Sequence, residues 1–374
     1  MQKLNLLMNG YIKADDLSAL AVAPMKQDNE KTWWDRDKYG NEGDEKTARL
    51  PRMAKYFESL DGTAVNQCVF VPYFPASSIR GSIRRACRDA LFELMQGQKW
   101  SLSMHRLLTI GGVSTSGEMK EVNINLIQEF RDKNPLVSLF GATAEPSHPW
   151  IEGRISIGHA MPDAPFKPTI VTGVRTDPVQ RNPSEIVMLD EASAEALDKV
   201  CNAGRTMSRI KAKIEDLNKE IKVAKKANAP AVAIQEQQDQ IAELTEKMNE
   251  ASALFGTTVS IQMPLSGYEV IPPCLPLNQR IVARGVNLVE LGLLVAGLRR
   301  FAKNPLLGAH HAHGCGVVRG EWEVTIGDFR GKVILEPFVD LVIEGDKLSD
   351  LFIKAEEHFK STMDGCTEAT LKPA

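Results

Sequence analysis

Apolar positions recur along this chain at two periods, and the switches between them predict most of its elements. Ile79, Ile83, Cys87, Ala90 and Leu94 fall on one stripe at helical spacing, which predicts a helix across Pro75–Leu94. Leu291, Leu294, Val295 and Leu298 do the same within a predicted helix over Leu288–Phe301. Residues 3–13 alternate as a strand does, and Val69–Phe74, Gly153–Ala160, Thr258–Ile271 and Val317–Val324 are further predicted strands. Residues 97–134 hold no sustained period and are expected to be irregular around the Gly111–Glu118 patch.

A third pattern sits in the middle of the chain. Met207, Ile210, Ile214, Leu217, Ile221 and Ala224 repeat at three-and-four spacing. Beyond Asn228 and Pro230, Ile234, Ile241, Leu244, Met248 and Ala251 repeat the same way. This predicts an antiparallel coiled-coil helical hairpin over 191–255, inserted into a domain made of 1–190 and 256–374. It reads as a rigid stalk or as an arm for contact with a partner. The order strand, helix, strand, insertion, strand, helix, strand predicts an α+β fold: an RRM-like or ferredoxin-like palm with helices on one side of a sheet.

The predicted helix at Pro75–Leu94 carries chemistry as well as a core face. Ser77 and Ser78 are favourable N-cap residues, and Gly81 would let another backbone come close. Arg80 lies in the first turns, and Arg84, Arg85 and Arg88 point away from the apolar stripe. A helix start offers free N–H groups, and guanidinium forks suit phosphate oxygens. Such a set holds a nucleic-acid backbone without reading its bases. The alternative is solvated charge. A second element, Leu306–Val324, places Gly308, Gly314 and Gly316 around His310, His311 and His313, a turn that allows close approach and supplies N–H donors to an anion. The histidines and Cys315 could in principle hold zinc or copper, but no second ligand cluster accompanies them, so donation to phosphate or ribose is preferred and no metal is expected.

Ser77-Ser78-Ile79-Arg80-Gly81-Ser82-Ile83-Arg84 resembles the helix-start motif of the RAMP superfamily of CRISPR-associated proteins, and within it the Cas seven family of effector backbone subunits. PLVSLFGA (Pro135–Ala142) and GRISIGHA (Gly153–Ala160) are similar to two further segments of that family; the three histidines in the glycine loop depart from it. With no clear cleavage motif present, the type IV branch is favoured over type III. The resemblance implies a non-catalytic subunit that binds guide RNA (crRNA) and polymerises along it, with the paired target nucleic acid, other copies of itself and other effector subunits as partners. It implies a thumb hairpin at 162–190, where Lys167, Arg175 and Arg181 flank apolar Val174 and Val179, the candidate wedges that kink the RNA. A finger at 25–60 would carry Trp33, Trp34 and Tyr39; the alternative is a loop that tucks these rings onto its own domain.

Composition narrows this picture. The net charge of −3 weighs against a nucleic-acid binder, although basic residues gather at Arg80–Arg106 and again at Arg280–Lys303. No apolar run approaches a membrane span, the N-terminus lacks a signal-peptide layout, and six scattered cysteines read as reduced thiols, so a cytoplasmic protein is expected. No Walker loop, His-Glu-x-x-His or paired CxxC occurs, and no cofactor is expected. A type III-like RNA endonuclease would need one aspartate after the first strand. Asp15, Asp16, Asp28, Asp35, Asp37, Asp44 and Asp61 lie in that region, Asp61 being the preferred candidate. A coiled-coil scaffold protein is the remaining alternative.

Overall fold

The computed structural model describes residues 3–22, 49–57, 67–95, 99–112, 123–143, 150–176, 191–226, 231–255 and 262–373. In chain order the elements are β1 (Leu4–Ala14), β2 (Arg52–Phe57), β3 (Gln67–Pro72), α1 (Ala76–Glu93), α2 (Leu102–Ile110), α3 (Ile124–Lys133), α4 (Pro135–Phe140), β4 (Ile155–Ile157), β5 (Met161–Pro162) and β6 (Thr169–Thr176). They continue with α5 (Glu191–Lys226), α6 (Ala231–Phe255), β7 (Gln262–Val270), β8 (Leu277–Val286), α7 (Leu288–Lys303), β9 (Val318–Ile326), β10 (Phe329–Leu335), β11 (Leu341–Glu344) and α8 (Asp346–Met363). The chain divides into two compact units, 1–171 with 267–374, and 172–266.

The first unit is α+β. Its antiparallel sheet runs β11-β10-β9-β1-β8-β4, with β5 also paired to β8. Strict alternation builds it: Leu6, Met8, Ile12 and Ala14 of β1 are buried, while Asn5, Leu7 and Asn9 are exposed. In β8, Leu277, Ile281 and Ala283 point inward while Asn278, Arg280 and Arg284 point out. The inward face is covered by α1, α7 and α8 in one apolar core. Helix α7 is buried on several sides, so its glycines matter. A Cβ on Gly292 would fall 2.0 Å from the Ala355 carbonyl oxygen of α8, and one on Gly297 would fall 2.2 Å from Cys87 Sγ of α1. The two neighbouring helices therefore pack against the bare backbone of α7. Its first turn is closed by a capping box between Asn287 and Glu290, and the Glu290 carboxylate also takes the Arg154 guanidinium at 2.8 Å.

One expectation is corrected. Within 97–134, expected to be irregular, α2 and α3 form, capped by Ser101 on the Met104 N–H and by Asn123 on the Leu126 N–H. Helices of nine and ten residues present too few turns for a period to stand out. Strand β6, within the expected thumb, pairs with β7 across the helical insertion, and residues 177–190 lie outside the described residues. Long-range strand pairing leaves no mark in a local pattern.

In the second unit α5 and α6 pack side by side, joined across 227–230. Ile210 and Ile221 are buried, Met207, Ile214, Leu217, Ile241, Leu244 and Met248 half-buried, and Gln237 Nε2 donates to Glu220 Oε2 across the seam at 3.1 Å. Among the described residues no helix is long and apolar enough to cross a membrane.

Candidate nucleic-acid interface

Helix α1 begins one turn away from where the serines were expected to cap it. Pro75, at φ −66° and ψ 134°, is the N-cap, and neither Ser77 nor Ser78 bonds as a cap. The proline ring's preset φ lets the chain enter the helix without a side-chain acceptor. The first free amide, on Ala76, instead donates to Nδ1 of His159 at 3.0 Å. Ser77 is exposed and Ser78 half-buried.

The arginines of α1 then separate into two rows. Arg80, Arg84 and Arg88, each four residues apart, turn toward α2 and α4. Arg84 is only 4 % exposed. Its Nε donates to the Leu108 carbonyl at 2.9 Å, Nη2 to Leu107 at 2.7 Å, and Nη1 to Gly141 at 3.1 Å and Phe140 at 3.3 Å. These carbonyls lie at the C-terminal ends of two helices, where the backbone dipoles favour a cation. Arg80 Nη2 also donates to the Phe140 carbonyl. Burial lowers the Arg84 pKa to about 10, with the Arg80 charge adding to the effect. Arg88 donates to Thr109 Oγ1 and to its neighbour Asp89. The expectation that Arg84 faces solvent is thus overturned: a second layer of helices covers that side of α1, and the guanidinium is taken up by its carbonyls.

The other row is Ser77, Gly81 and Arg85. Arg85 is exposed and donates to Ser82 Oγ at 2.9 Å. A Cβ built on Gly81 would meet only Arg85 Nη1, at 3.4 Å. Among the described residues no backbone approaches Gly81, so the space it leaves is open.

The glycine loop is brought to this helix start by Phe74. Phe74 is fully buried two residues before α1, and a Cβ on Gly308 would stand 3.2 Å from its ring and 1.9 Å from the Ala21 carbonyl oxygen. With φ at +85° as well, residue 308 has to be glycine. The loop is laced to the chain after β1: Ala309 N–H donates to Ala21 O at 2.9 Å, Gly316 N–H to Ala19 O at 2.8 Å, and Ser18 Oγ to Gly314 O at 2.8 Å. Gly316, at φ +105°, lies under the His311 ring. Gly314, at φ +80°, has nothing within 4 Å of where a Cβ would point.

His310 sits in the left-handed region at φ +60° and stacks on Tyr268, ring centres 3.8 Å apart and planes 7° apart. His313 lies nearly parallel to both rings, with Nδ1 3.3 Å from the Tyr268 hydroxyl. Burial, then the neighbouring His313 and His311, push the His310 pKa down, so that ring favours its neutral form. Burial raises the Tyr268 and Cys315 pKa values. Among the described residues no three His, Cys, Asp or Glu side chains gather at metal-ligating spacing.

The remaining candidates scatter. Lys167 is exposed and Arg175 lies in β6, whereas Val179, Arg181 and Asp61 are outside the described residues, as are Trp33, Trp34 and Tyr39. Asp15 is ion-paired with Arg319 at 2.7 Å, and Asp16 accepts from Cys274 Sγ. The second basic stretch divides: Arg299 is held by Glu356 and Asp340, and Arg300 by Glu93, whereas Arg280 and Arg284 are exposed on β8. Tyr268 and His159 went unrecognised in the sequence, where each is a single ring in an alternating segment.

No protein-family model and no curated protein matches this sequence. Among solved structures, the chain is similar to a chain of the Type IV-B CRISPR Complex, at 15% identity and a TM-score of 0.39 over 87% of this chain and 90% of that one. It is also similar to Csc2 of Thermofilum pendens, at 12% identity and a TM-score of 0.38 over 98% of this chain and 88% of that one. Scores of this size leave the functional reading to the residues themselves.

Proposed function

We propose that this chain is a non-catalytic backbone subunit of a multisubunit CRISPR effector complex, binding guide RNA through its phosphates. The observation that carries the reading is the joint at Phe74. Phe74, three residues ahead of the family-like motif, and Gly308 of the glycine loop lie more than 200 residues apart in sequence, yet a Cβ on Gly308 would stand 3.2 Å from the Phe74 ring. On α1 Ser77 and Arg85 are exposed and a Cβ on Gly81 would meet only Arg85, and in the loop His311, His313 and Gly314 are exposed. An unburied guanidinium and a bare glycine on α1, together with the exposed imidazoles of the loop, make surfaces onto which a sugar-phosphate chain can settle without regard to base. The sheet order β9-β1-β8-β4, with α1 and α7 as its crossovers, suits the RRM-like palm of that family. In this reading Lys167, Arg175, Val179 and Arg181 belong to the thumb that lies over the RNA. Copies join head to tail along the guide, a heterologous contact that builds an open filament in the cytoplasm, and base pairing with the target supplies specificity.

Filter binding with scrambled RNA sequences at rising salt tests this. Affinity should be indifferent to sequence and fall steeply with salt. Strong sequence dependence, or a flat salt response, overturns the reading. Incubating the assembled complex with complementary RNA and Mg²⁺ should leave that RNA intact; regularly spaced cuts would make the subunit an endonuclease instead.

A further inference from the structure

The ring cluster in the glycine loop does more than close a turn. Tyr268 is buried and anchors one side. His310 holds a backbone conformation that glycine adopts freely and a histidine only under strain, and such strain gathers at ligand-binding positions. Its nearly parallel stack on Tyr268 keeps it there. His313, by contrast, is exposed. Its plane is set within 22° of Tyr268 and 16° of His310, and its backbone N–H is tied to the His310 carbonyl at 2.9 Å. Next to it Gly314 leaves open space. An imidazole so oriented and turned outward is pre-positioned for a flat partner. Aromatic faces stack on any nucleobase, and base and phosphate contacts then add along one strand.

We propose that Tyr268, His310 and His313 form a base-stacking platform, on which an unstacked nucleobase of bound RNA lies against the exposed face of His313. This rests on the RNA-binding reading above and adds a base contact that does not read sequence.

The test uses the full chain and RNA oligomers carrying the fluorescent base 2-aminopurine at single positions. The wild-type chain should quench the probe on binding. H313A should abolish the quench and weaken binding about five- to tenfold, the low end for loss of one base–aromatic stack. The slope of affinity against salt should stay unchanged, because stacking neutralises no phosphate. H313F should restore both quench and affinity, since a phenyl face stacks without a charge or a ring nitrogen. Thermal melts of the variants serve to show that the exposed substitution leaves the fold intact. If H313A binds and quenches as wild type does, or if H313F restores neither, the platform is wrong. A wild-type chain that binds no RNA at low salt overturns the RNA-binding reading as well; one that binds without quenching overturns the platform alone.

Discussion

One helix, α1, presents arginines to two different environments. Along Arg80, Arg84 and Arg88 the guanidiniums are drawn inward onto carbonyl oxygens, a threonine hydroxyl and an aspartate. Along Ser77, Gly81 and Arg85, a quarter-turn away, the same residue type stands in solvent beside an unfilled glycine. Residue type alone therefore says little about whether an arginine is available to a phosphate. What decides is whether other helix ends reach it first: α2 and α4 both end with their last carbonyls beside Arg84, and none of the described residues competes in that way for Arg85 beyond Ser82.

The sharpest way to break this contrast is Arg84→Met. Removing a buried cation from several carbonyls at once should cost about 3–5 kcal/mol in denaturant unfolding. A loss under about 1 kcal/mol would show that the inward row does not hold α2 and α4. Arg84→Lys should recover little, because one ammonium cannot reproduce the fork that spans both helix ends. Next comes Gly308→Ala, which forces a methyl group into the Ala21 carbonyl at a positive φ. It should cost about 2 kcal/mol and also weaken RNA binding, since it opens the joint between the loop and α1. Arg85→Ala should do the reverse of Arg84→Met. Stability should stay within about 0.5 kcal/mol of wild type, while RNA affinity drops for every sequence and the salt slope falls by about one. An Arg85→Ala chain that unfolds as readily as Arg84→Met would erase the distinction between the rows.

The smallest effect concerns the far end of α2. Glu368 accepts from Lys372 and from the backbone and hydroxyl of Ser101, which caps α2; those contacts, Lys372 first, lower its pKa from 4.5 to about 2. A carboxylate more acidic in the folded state stabilises it at neutral pH, and that contribution fades as pH falls from about 4.5 through about 2. In Glu368→Gln, stability measured across that range should depend less steeply on pH than in wild type.

These contrasts also show how far the sequence could be read. The apolar stripe of α1 was legible because Ile79, Ile83 and Cys87 all face one broad core, with Leu94 packed against it. The environment of Arg84 was not, because its acceptors at residues 107, 108, 140 and 141 belong to helices too short to announce themselves. The glycine loop stood out by composition, whereas its contact with Phe74 has no local signal. The stack on Tyr268 was invisible: the ring and its partners are more than forty residues apart, and a lone tyrosine on an alternating strand carries no signal of what lies beneath it. Helix α8 and strands β10 and β11 also went unassigned, though they close the core and the sheet edge.

The position of β1 between β8 and β9 has a consequence for synthesis. Both ladder partners of this strand lie some 270 residues or more downstream. At about 5–20 residues per second, β1 leaves the ribosome some tens of seconds before either neighbour exists. During that interval Leu6, Met8 and Ile12 have no core to enter, and the nascent chain must be kept from pairing that strand elsewhere. The helical insertion, whose contacts are local, can form in the meantime, so the newborn protein carries a finished arm well before it has a palm.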